Sequence, residues 1–393
     1  MTATRHRLGA AAIFLGVSLL YYTANPRLPD NYKHHVYVAD AWLHGRLYVE
    51  GYPPHYHDWI TVDGKQYSPF APTPAILLLP FVWVWGTNVN MNAFSMGVAG
   101  LNAMLCWLVL GRVGVGMRSR ALATLFFAFG TVNWYSAEIG TSWFLAHLGC
   151  ELFYLLALFE IFGRCRGLLI GAAAGFAVLS RANTITALPA VLLLALARTG
   201  PDERRPGWRA LFARTVAFGI GLALPLAIEL GINYARFGSP LETGYSKASE
   251  LYTNMKTSGS MYHWRYIPKH LYIALFRGWE FVDEVPFLKP SPEGLSLIFT
   301  SPALFYALGA PWRERVVRRL WLAVAMTAVA ILPYFAQGWV QFGYRHVLDA
   351  LPYLVILTAL GLERAPTWHG VLLVELSALS NALGVYWGEK LGW

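Results

Sequence analysis

Long apolar runs bounded by charged residues dominate this sequence and restrict it to a membrane-embedded helical fold. Of the 393 residues, 56% are hydrophobic and only 13% are charged, whereas about a quarter of a soluble domain is charged. A helix of about 20 apolar residues crosses the hydrocarbon core of a bilayer. We therefore predict an all-α membrane bundle of about eleven transmembrane helices. They lie at roughly 8–25, 93–112, 121–136, 143–163, 167–181, 184–199, 213–235, 296–311, 320–335, 347–363 and 368–387.

The placement of Lys and Arg predicts which side of the membrane each loop faces. Cytoplasmic loops carry an excess of these residues. With the N-terminus inside and the sides alternating, the inside loops hold about 17 basic residues against about 4 acidic ones. Basic and acidic residues nearly balance in the outside segments. A single alternation of inside and outside loops therefore places every strongly basic loop on the inside.

Two predicted outer segments are long, 26–92 and 236–295, and we expect both to carry interfacial helices. The first contains PAILLLPFVWVWG from Pro74, which at about 13 residues is too short to span comfortably. A span here would also put MRSR outside, so we predict a re-entrant or interfacial helix. No internal repeat or soluble domain is visible, and 1–393 is predicted to be one transmembrane domain. No cleavage site follows the first apolar run, so we expect an uncleaved first span.

Composition and motifs exclude several classes of function. The net charge of +9 would suit nucleic acid, but the basic residues follow the membrane topology, so no nucleic-acid partner is expected. Cys106, Cys150 and Cys165 lie in or beside apolar runs without a CxxC pair, and neither a disulfide framework nor a zinc site is implied. Glycine-rich nucleotide loops, GxSxG and HExxH are absent.

The segment after the first span offers two candidate catalytic carboxylates, Asp30 and Asp40, with the polar residues Asn31, His34 and His35. A helix beginning at Asp30 would place Asp30 and His34 on one face. A carboxylate just outside the membrane can take a proton from an acceptor hydroxyl. Its alternative role is a helix cap. Asp40 would lie on a different face of an unbroken helix, where it would be an ordinary solvated carboxylate.

Glu138 is a third candidate acid, in a very short outer loop, and His147 follows about one turn inside the next span. Ionisable groups at span ends are functional candidates. Glu138 is equally well explained as a solvated loop residue. His147 is expected to be a hydrogen-bonded packing residue.

Basic residues on the outer side are candidates for binding a phosphate group. Arg181 lies with Asn183 at an outer hinge between two spans, and Arg345 precedes another span. Arginine binds phosphate through two parallel hydrogen bonds. An arginine that reaches to lipid headgroups is the alternative. Lys269 is a third candidate phosphate ligand, and contact with anionic lipid is its alternative.

Polar side chains near these basic residues are candidate substrate ligands: Tyr245, Lys247, Tyr344 and His346. Arg345 and Asp349 are four residues apart, so a mutual ion pair on a helix is an alternative to a functional role for either.

In order and location, these segments resemble the GT-C superfamily of membrane glycosyltransferases, which use lipid-phosphate sugar donors. The likeness is greatest to bacterial relatives of the dolichyl-phosphate-mannose protein mannosyltransferases and of the lipid A aminoarabinose transferase. It rests on PDNY, on ADAWLHGRLYV with DGKQYSPFAPTPAILLLP, on GFAVLSRAN, on NYARFGSPLETGY and on FGYRHVLDALPYL. The resemblance implies that Asp30 is the catalytic base and that Arg181 binds the donor phosphate. The family often has Asp-Glu and Arg-Pro where this chain has Asp30-Asn31 and Arg181-Ala182.

The sequence therefore favours an inverting glycosyltransferase of the bacterial inner membrane, with its active site facing the periplasm or cell exterior. Its expected partners are a polyprenyl-phosphate sugar donor, a glycan, lipid or protein acceptor, and membrane lipids. No cofactor is expected; a divalent metal is compatible with this chemistry but not implied. A lipid or small-molecule transporter is the alternative, and it would gather its charged groups near the middle of the membrane. A membrane acyl- or phosphotransferase would need a nucleophile with its base or a metal-binding acid cluster, and neither is evident.

Overall fold

The computed structural model describes residues 3–25, 31–197, 207–247 and 259–391, and these residues are mostly helical. We number the helices α1 (Ala3–Ala24), α2 (His34–Leu43), α3 (Thr73–Trp85), α4 (Met91–Val113), α5 (Met117–Phe129), α6 (Asn133–Ile139), α7 (Ser142–Ile161), α8 (Gly167–Val178), α9 (Leu188–Ala197), α10 (Trp208–Phe237), α11 (Ile267–Leu275), α12 (Leu297–Thr300), α13 (Arg315–Ile331), α14 (Leu351–Leu362) and α15 (Thr367–Leu391).

Four of the described helices, α4, α7, α10 and most of α15, are long and apolar enough to cross a membrane. Four shorter apolar segments accompany them: Leu8–Ala24, Gly167–Val178, Ala182–Ala197 and Leu351–Leu362. Large apolar side chains such as Leu15, Ile220 and Val329 point outward and are more than half exposed. An outer surface with this many apolar side chains fits a lipid environment better than water. The figure of eleven spans stays a prediction.

The predicted apolar runs coincide with helices to within a few residues, but four of them are divided. The run 184–199 joins a 3₁₀ segment, Ala182–Ala187, to α9. The run 121–136 contains α5 and α6, separated at Gly130. The run 296–311 consists of α12 and a 3₁₀ segment, Pro302–Gly309. The run 347–363 begins inside a 3₁₀ turn, Arg345–Asp349, and continues as α14. Apolar composition therefore located these segments without showing where the helices break.

The apolar stretch that begins at Pro74 forms α3, a helix of 13 residues. Its first half is buried, whereas Trp83 and Trp85 near its end are 78% and 57% exposed. Tryptophan at a helix end is typical of the membrane interface. This arrangement is compatible with the predicted re-entrant or interfacial helix.

Helices α8 and α10 pack with their backbones in close contact. Gly171 of α8 faces the carbonyl of Phe218, and Gly221 of α10 faces the carbonyl of Leu168, leaving no room for a Cβ at either position. Gly167, Gly171 and Gly175 are spaced four residues apart on one face of α8. Small residues at this spacing let membrane helices approach closely. The sequence GLLIGAAAG carried this signal, which our sequence reasoning did not use.

The predicted inner and outer loops lie at opposite ends of the bundle. At one end, the Asn25 and Asn92 amides both donate to the carbonyl of Glu138, joining the end of α1, the start of α4 and the end of α6. At the other end, Arg118 donates to the carbonyl of Leu362, and Arg364 donates to that of Gly309. The contacts agree with the predicted alternation of loops. Which end faces the cell exterior stays a prediction.

The first outer loop folds onto this end through α2 and a short hairpin of β1 (Ile60–Val62) with β2 (Lys65–Tyr67). α2 begins at His34 and residues 31–33 are not helical, so a continuous helix into His34 does not form over the described residues, and Asp30 lies outside them. The second outer loop contains α11 and a hairpin of β3 (Glu280–Phe281) with β4 (Leu288–Lys289).

Candidate functional site

A buried ion-pair cluster joins three helix ends at the outer-loop end of the bundle. Nδ1 of His147, in the second turn of α7, lies 2.7 Å from Oδ1 of Asp349, just before α14. Arg181, between α8 and α9, donates its Nε–H to the other oxygen, Oδ2, at 3.3 Å. His147 and Asp349 have no exposed side-chain surface, and Arg181 has 19%. One buried carboxylate therefore holds two basic side chains from distant segments.

His346 extends this cluster and is neutral. Arg181 Nη2 donates to His346 Nδ1 at 3.1 Å, and His346 Nε2 donates to the carbonyl of Ala336 at 3.0 Å. With one ring nitrogen accepting and the other donating, the imidazole carries a single proton. Burial, and next the charge of Arg181, lower the pKa of His346 well below its usual range. His346 therefore adds no charge to the cluster.

Arg345 lies beside the cluster without a carboxylate partner among the described residues. Its guanidinium stands over the ring of Phe144 at 5.3 Å from the centroid, and its Nε has no hydrogen-bond partner in the described part of the chain. Burial, and next the charge of Arg181, lower the pKa of Arg345 to about 10, so the side chain is charged at neutral pH. The predicted helical ion pair between Arg345 and Asp349 is wrong. The two residues lie in a 3₁₀ turn, where positions four apart are about 120° apart around the axis.

The cluster carries an excess of positive charge when its histidines are counted as neutral. Arg181 and Arg345 contribute two guanidinium charges, and Asp349 contributes one carboxylate. A half-buried cation without a counter-ion is costly in an apolar environment. Buried polar atoms nearby also lack partners, namely Nε2 of His147 and the hydroxyl of Tyr135. The excess positive charge and the polar atoms without partners suit an anionic ligand that also carries polar groups.

A second set of hydrogen bonds attaches the outer loop containing α11 to the cluster. His270 Nε2 donates to the carbonyl of Tyr334 at 2.9 Å, so its Nδ1 accepts from the Tyr344 hydroxyl at 2.6 Å. Tyr344 and His346 are close, with ring centroids 5.5 Å apart. The structure thus brings the predicted residues Tyr344 and His346 beside Arg181. Tyr334 was missed as a site residue, since only the tertiary fold joins it to the cluster.

Asn183 and Tyr245 also lie next to the cluster. The amide oxygen of Asn183 accepts from the Tyr262 hydroxyl at 2.7 Å. Tyr245 hydrogen-bonds with Tyr334, and both tyrosines interact electrostatically with Arg181. The two predicted residues therefore border Arg181 on the side of the second outer loop.

Two predicted basic residues are not brought into the cluster. Lys269 Nζ lies 2.7 Å from Oε1 of Glu293, so it is already engaged in an ion pair outside the cluster. Lys247 is exposed, and no described contact joins it to Arg181 or Arg345. Of the three predicted phosphate ligands, Arg181 and Arg345 are therefore the pair that the fold places together.

His34 and His35 are buried and bonded to protein groups. His34 Nε2 donates to the carbonyl of His57 at 2.8 Å, and its Nδ1 lies 3.1 Å from the Ser142 hydroxyl. His35 Nε2 donates to the Ser142 carbonyl at 3.2 Å. Burial, and next the neighbouring His34, lower the pKa of His35 to about 3. These bonds fasten α2 to the start of α7 and favour a packing role over the predicted substrate contact.

The predicted acids occupy three different settings. Asp30 lies outside the described residues, and its neighbour Asn31 is exposed. Asp40 is half-buried at the end of α2, with Oδ2 3.7 Å from His44 Nδ1. Glu138 is buried and accepts from the indole N–H of Trp134 on its own helix at 2.7 Å. Neither Asp40 nor Glu138 contacts the cluster.

An additional carboxylate, Asp58, lies in the first outer loop among aromatic side chains. Its Oδ2 accepts from the indole N–H of Trp143 at 3.2 Å and lies 3.9 Å from His57 Nε2. Trp143 is four residues before His147 on α7, so it lies on nearly the same face and about 6 Å nearer the outer end. Our sequence reasoning missed Asp58. The signal was the run HYHDW, in which an acid stands among aromatic residues.

The described residues contain no group of three or more His, Cys, Asp and Glu side chains arranged to hold a metal ion. The basic cluster is the candidate functional site because it brings together two arginines and one carboxylate that the sequence analysis had singled out. In comparisons with known proteins, no protein-family model, curated protein or solved structure matches this chain.

Proposed function

We propose that this protein is a GT-C-type membrane glycosyltransferase that moves a sugar from a polyprenyl-phosphate donor to an acceptor hydroxyl. The reaction would occur at the outer face of a bacterial inner membrane, in a bundle of about eleven spans. The observation that carries the proposal is the cluster in which two guanidinium groups, of Arg181 and Arg345, stand near a single carboxylate, Asp349, which pairs with Arg181. The unbalanced charge calls for an anion, and a lipid phosphate supplies one from the surrounding bilayer.

The chemistry of arginine supports phosphate as this anion. A guanidinium presents a planar fork of N–H donors that matches two phosphate oxygens. Arg181 is oriented by Asp349 and His346, whereas Arg345 has donor capacity left over. Arg345 would therefore make the main contact with the phosphate, and Arg181 would add to the positive potential behind it.

The position of the cluster supports a transferase over a transporter. Its residues lie in the second turn of α7, in the loop after α8 and just before α14, all at one end of the bundle. A transporter would bring its charged groups together near the middle of the membrane. A transferase needs them at the surface, where a hydrophilic acceptor can approach a donor held in lipid.

In the proposed reaction, Asp30 takes the proton of the acceptor hydroxyl, and the resulting oxygen attacks the anomeric carbon. The bond between that carbon and the phosphate oxygen breaks, and the oxygen keeps the electron pair. The products are the glycosylated acceptor, with inverted configuration, and polyprenyl phosphate. Arg345 and Arg181 stabilise the charge that develops on the leaving phosphate. The phosphate is already a stable anion, so arginine can do this without a metal.

The experiment that tests the proposal incubates purified protein with radiolabelled polyprenyl-phosphate sugars and membrane extract as the acceptor source. We expect one sugar donor to be consumed by the wild type. Asp30→Asn should bind that donor with unchanged affinity and transfer no sugar. Its matched control, Asp63→Asn, alters an exposed acid in the same loop and should transfer normally. Full transfer by Asp30→Asn would refute the assignment of the base, and consumption of no donor by the wild type would refute the function.

A further inference from the structure

We propose that Asp58, Trp143, His57 and Tyr32 form a carbohydrate-binding surface next to the basic cluster, and that it receives the acceptor as a saccharide. The identification of the bound saccharide as the acceptor rests on the proposed function. The binding surface itself is argued from the contacts and exposure of these four residues.

The three rings form one contiguous aromatic surface. Tyr32 lies 4.9 Å from His57 and 5.3 Å from Trp143 between ring centroids. His57 and Trp143 are stacked, with centroids 5.4 Å apart and planes inclined by 25°. The side chain of His57 is 57% exposed, and Tyr32 and Trp143 are half-buried. The rings therefore support one another from within the loop and present part of their surface to solvent.

Asp58 places a carboxylate at the edge of this surface. Its side chain is 13% exposed and is oriented by the Trp143 indole, which donates to Oδ2. No Lys or Arg among the described residues pairs with it, so the carboxylate retains capacity to accept further hydrogen bonds. Asp58 and Tyr32 also have positive φ values of 67° and 53°. Such backbone geometry is uncommon outside glycine and concentrates at functional sites.

This combination matches the chemistry of a pyranose or furanose ring. The C–H groups on one face of a sugar are apolar and carry slight positive charge, so they stack on the negative face of an aromatic ring. The hydroxyls around the rim donate to a carboxylate, which makes charge-assisted hydrogen bonds. An organic cation would also be attracted to aromatic rings and a carboxylate. However, these rings pack on one another and do not surround a central space, which favours stacking on a surface.

The position of the surface relative to the basic cluster fits an acceptor site. Trp143 and His147 are on nearly the same face of α7, four residues apart, which is about 6 Å along the axis. That separation is comparable to the width of one sugar ring. A donor whose phosphate lies at Arg345 would therefore extend its sugar toward Trp143 and Asp58.

The test measures binding of methyl hexopyranosides and methyl pentopyranosides to the purified full-length protein by saturation-transfer NMR, with choline as a cationic probe. We expect the wild type to bind at least one glycoside, and Asp58→Asn to weaken that binding by about tenfold, as expected for loss of a charge-assisted hydrogen bond. Trp143→Phe retains a ring but removes the N–H that orients Asp58, so it should weaken binding several-fold. The matched controls Asp63→Asn and Trp83→Phe alter exposed residues and should bind as the wild type does.

A parallel measurement with polyprenyl phosphate separates this inference from the proposed function and shows that each variant is folded. We expect Asp58→Asn and Trp143→Phe to bind the lipid phosphate with wild-type affinity. If the wild type binds the lipid phosphate but no glycoside, or binds choline in place of glycosides, the saccharide surface is refuted and the proposed function stands. If it binds a glycoside at Asp58 but no lipid phosphate, the surface stands and the proposed function is refuted. Unchanged glycoside binding by both variants would also overturn the inference.

Discussion

The side chains of His147 and Asp349 come from positions 202 residues apart in the sequence and meet inside the bundle, with Nδ1 2.7 Å from Oδ1. The second oxygen of Asp349 accepts from Arg181. This one carboxylate therefore connects α7, the turn between α8 and α9, and the start of α14. It also sets the charge of the candidate site, because it balances one of the two arginines.

Replacing Asp349 should destabilise the protein severely. Asp349→Ala leaves the guanidinium of Arg181 partly buried without its counter-ion, which typically costs about 3–5 kcal/mol. We expect a large fall in the unfolding temperature of the purified protein in detergent. Asp40→Ala is the matched control, because its contact with His44 is largely exposed and worth at most about 1 kcal/mol. Equal unfolding temperatures for the two variants would contradict the role assigned to Asp349.

The close contact between α8 and α10 should not tolerate a side chain at Gly221. A Cβ there would collide with the carbonyl of Leu168, so Gly221→Leu must separate the helices. We expect a loss of stability of at least about 1–3 kcal/mol, the usual effect of overpacking. Gly219→Leu on the same helix has no atom within 4 Å of its Cβ and should be nearly neutral. If Gly219→Leu lowers the unfolding temperature more than Gly221→Leu does, the close contact between α8 and α10 is contradicted.

Stability should depend on the protonation of Glu138. Burial, only partly opposed by the bond from Trp134, raises the pKa of Glu138 to about 8, so the folded protein holds this proton at neutral pH. A carboxyl group whose pKa is raised on folding contributes its full stabilisation below its pKa in the unfolded chain, about 4.5. This contribution is lost as the pH rises through the folded pKa of about 8. We expect the free energy of unfolding to fall across this window. Glu138→Gln should remove that part of the pH dependence, and an unchanged pH profile would count against a protonated Glu138.

The helices could be predicted from the sequence because apolar length alone identifies segments suited to a bilayer. The breaks within them were missed, since Gly130 and the turn before α14 depend on tertiary packing. The same limitation affected Asp349. We paired it with Arg345 on a helix that does not form there, whereas its partners come from α7 and from the loop after α8. Arg181 and Arg345 were identifiable as candidates because both stand at the outer ends of predicted spans and arginine binds phosphate.

The aromatic surface around Asp58 is a second feature that could not be predicted from the sequence. Its residues come from two segments, 32–58 and Trp143, and no spacing within either segment indicates that they meet. We predicted that His147 would be a hydrogen-bonded packing residue, and the hydrogen bond that it makes places it in the cluster. A histidine inside an apolar span must find a polar partner, and here that partner is the carboxylate of Asp349.

The most direct test of the central claim, that the two-arginine cluster holds a lipid phosphate, is the affinity of the purified protein for polyprenyl phosphate. Arg345→Gln removes the cation that has no carboxylate partner among the described residues, and Arg265→Gln removes an exposed arginine of the second outer loop. We predict that Arg345→Gln weakens binding by at least about tenfold, as expected for one charged hydrogen bond. It should leave the unfolding temperature nearly unchanged, and Arg265→Gln should bind as the wild type does. Wild-type affinity in Arg345→Gln, or no binding of polyprenyl phosphate by the wild type, would contradict the account.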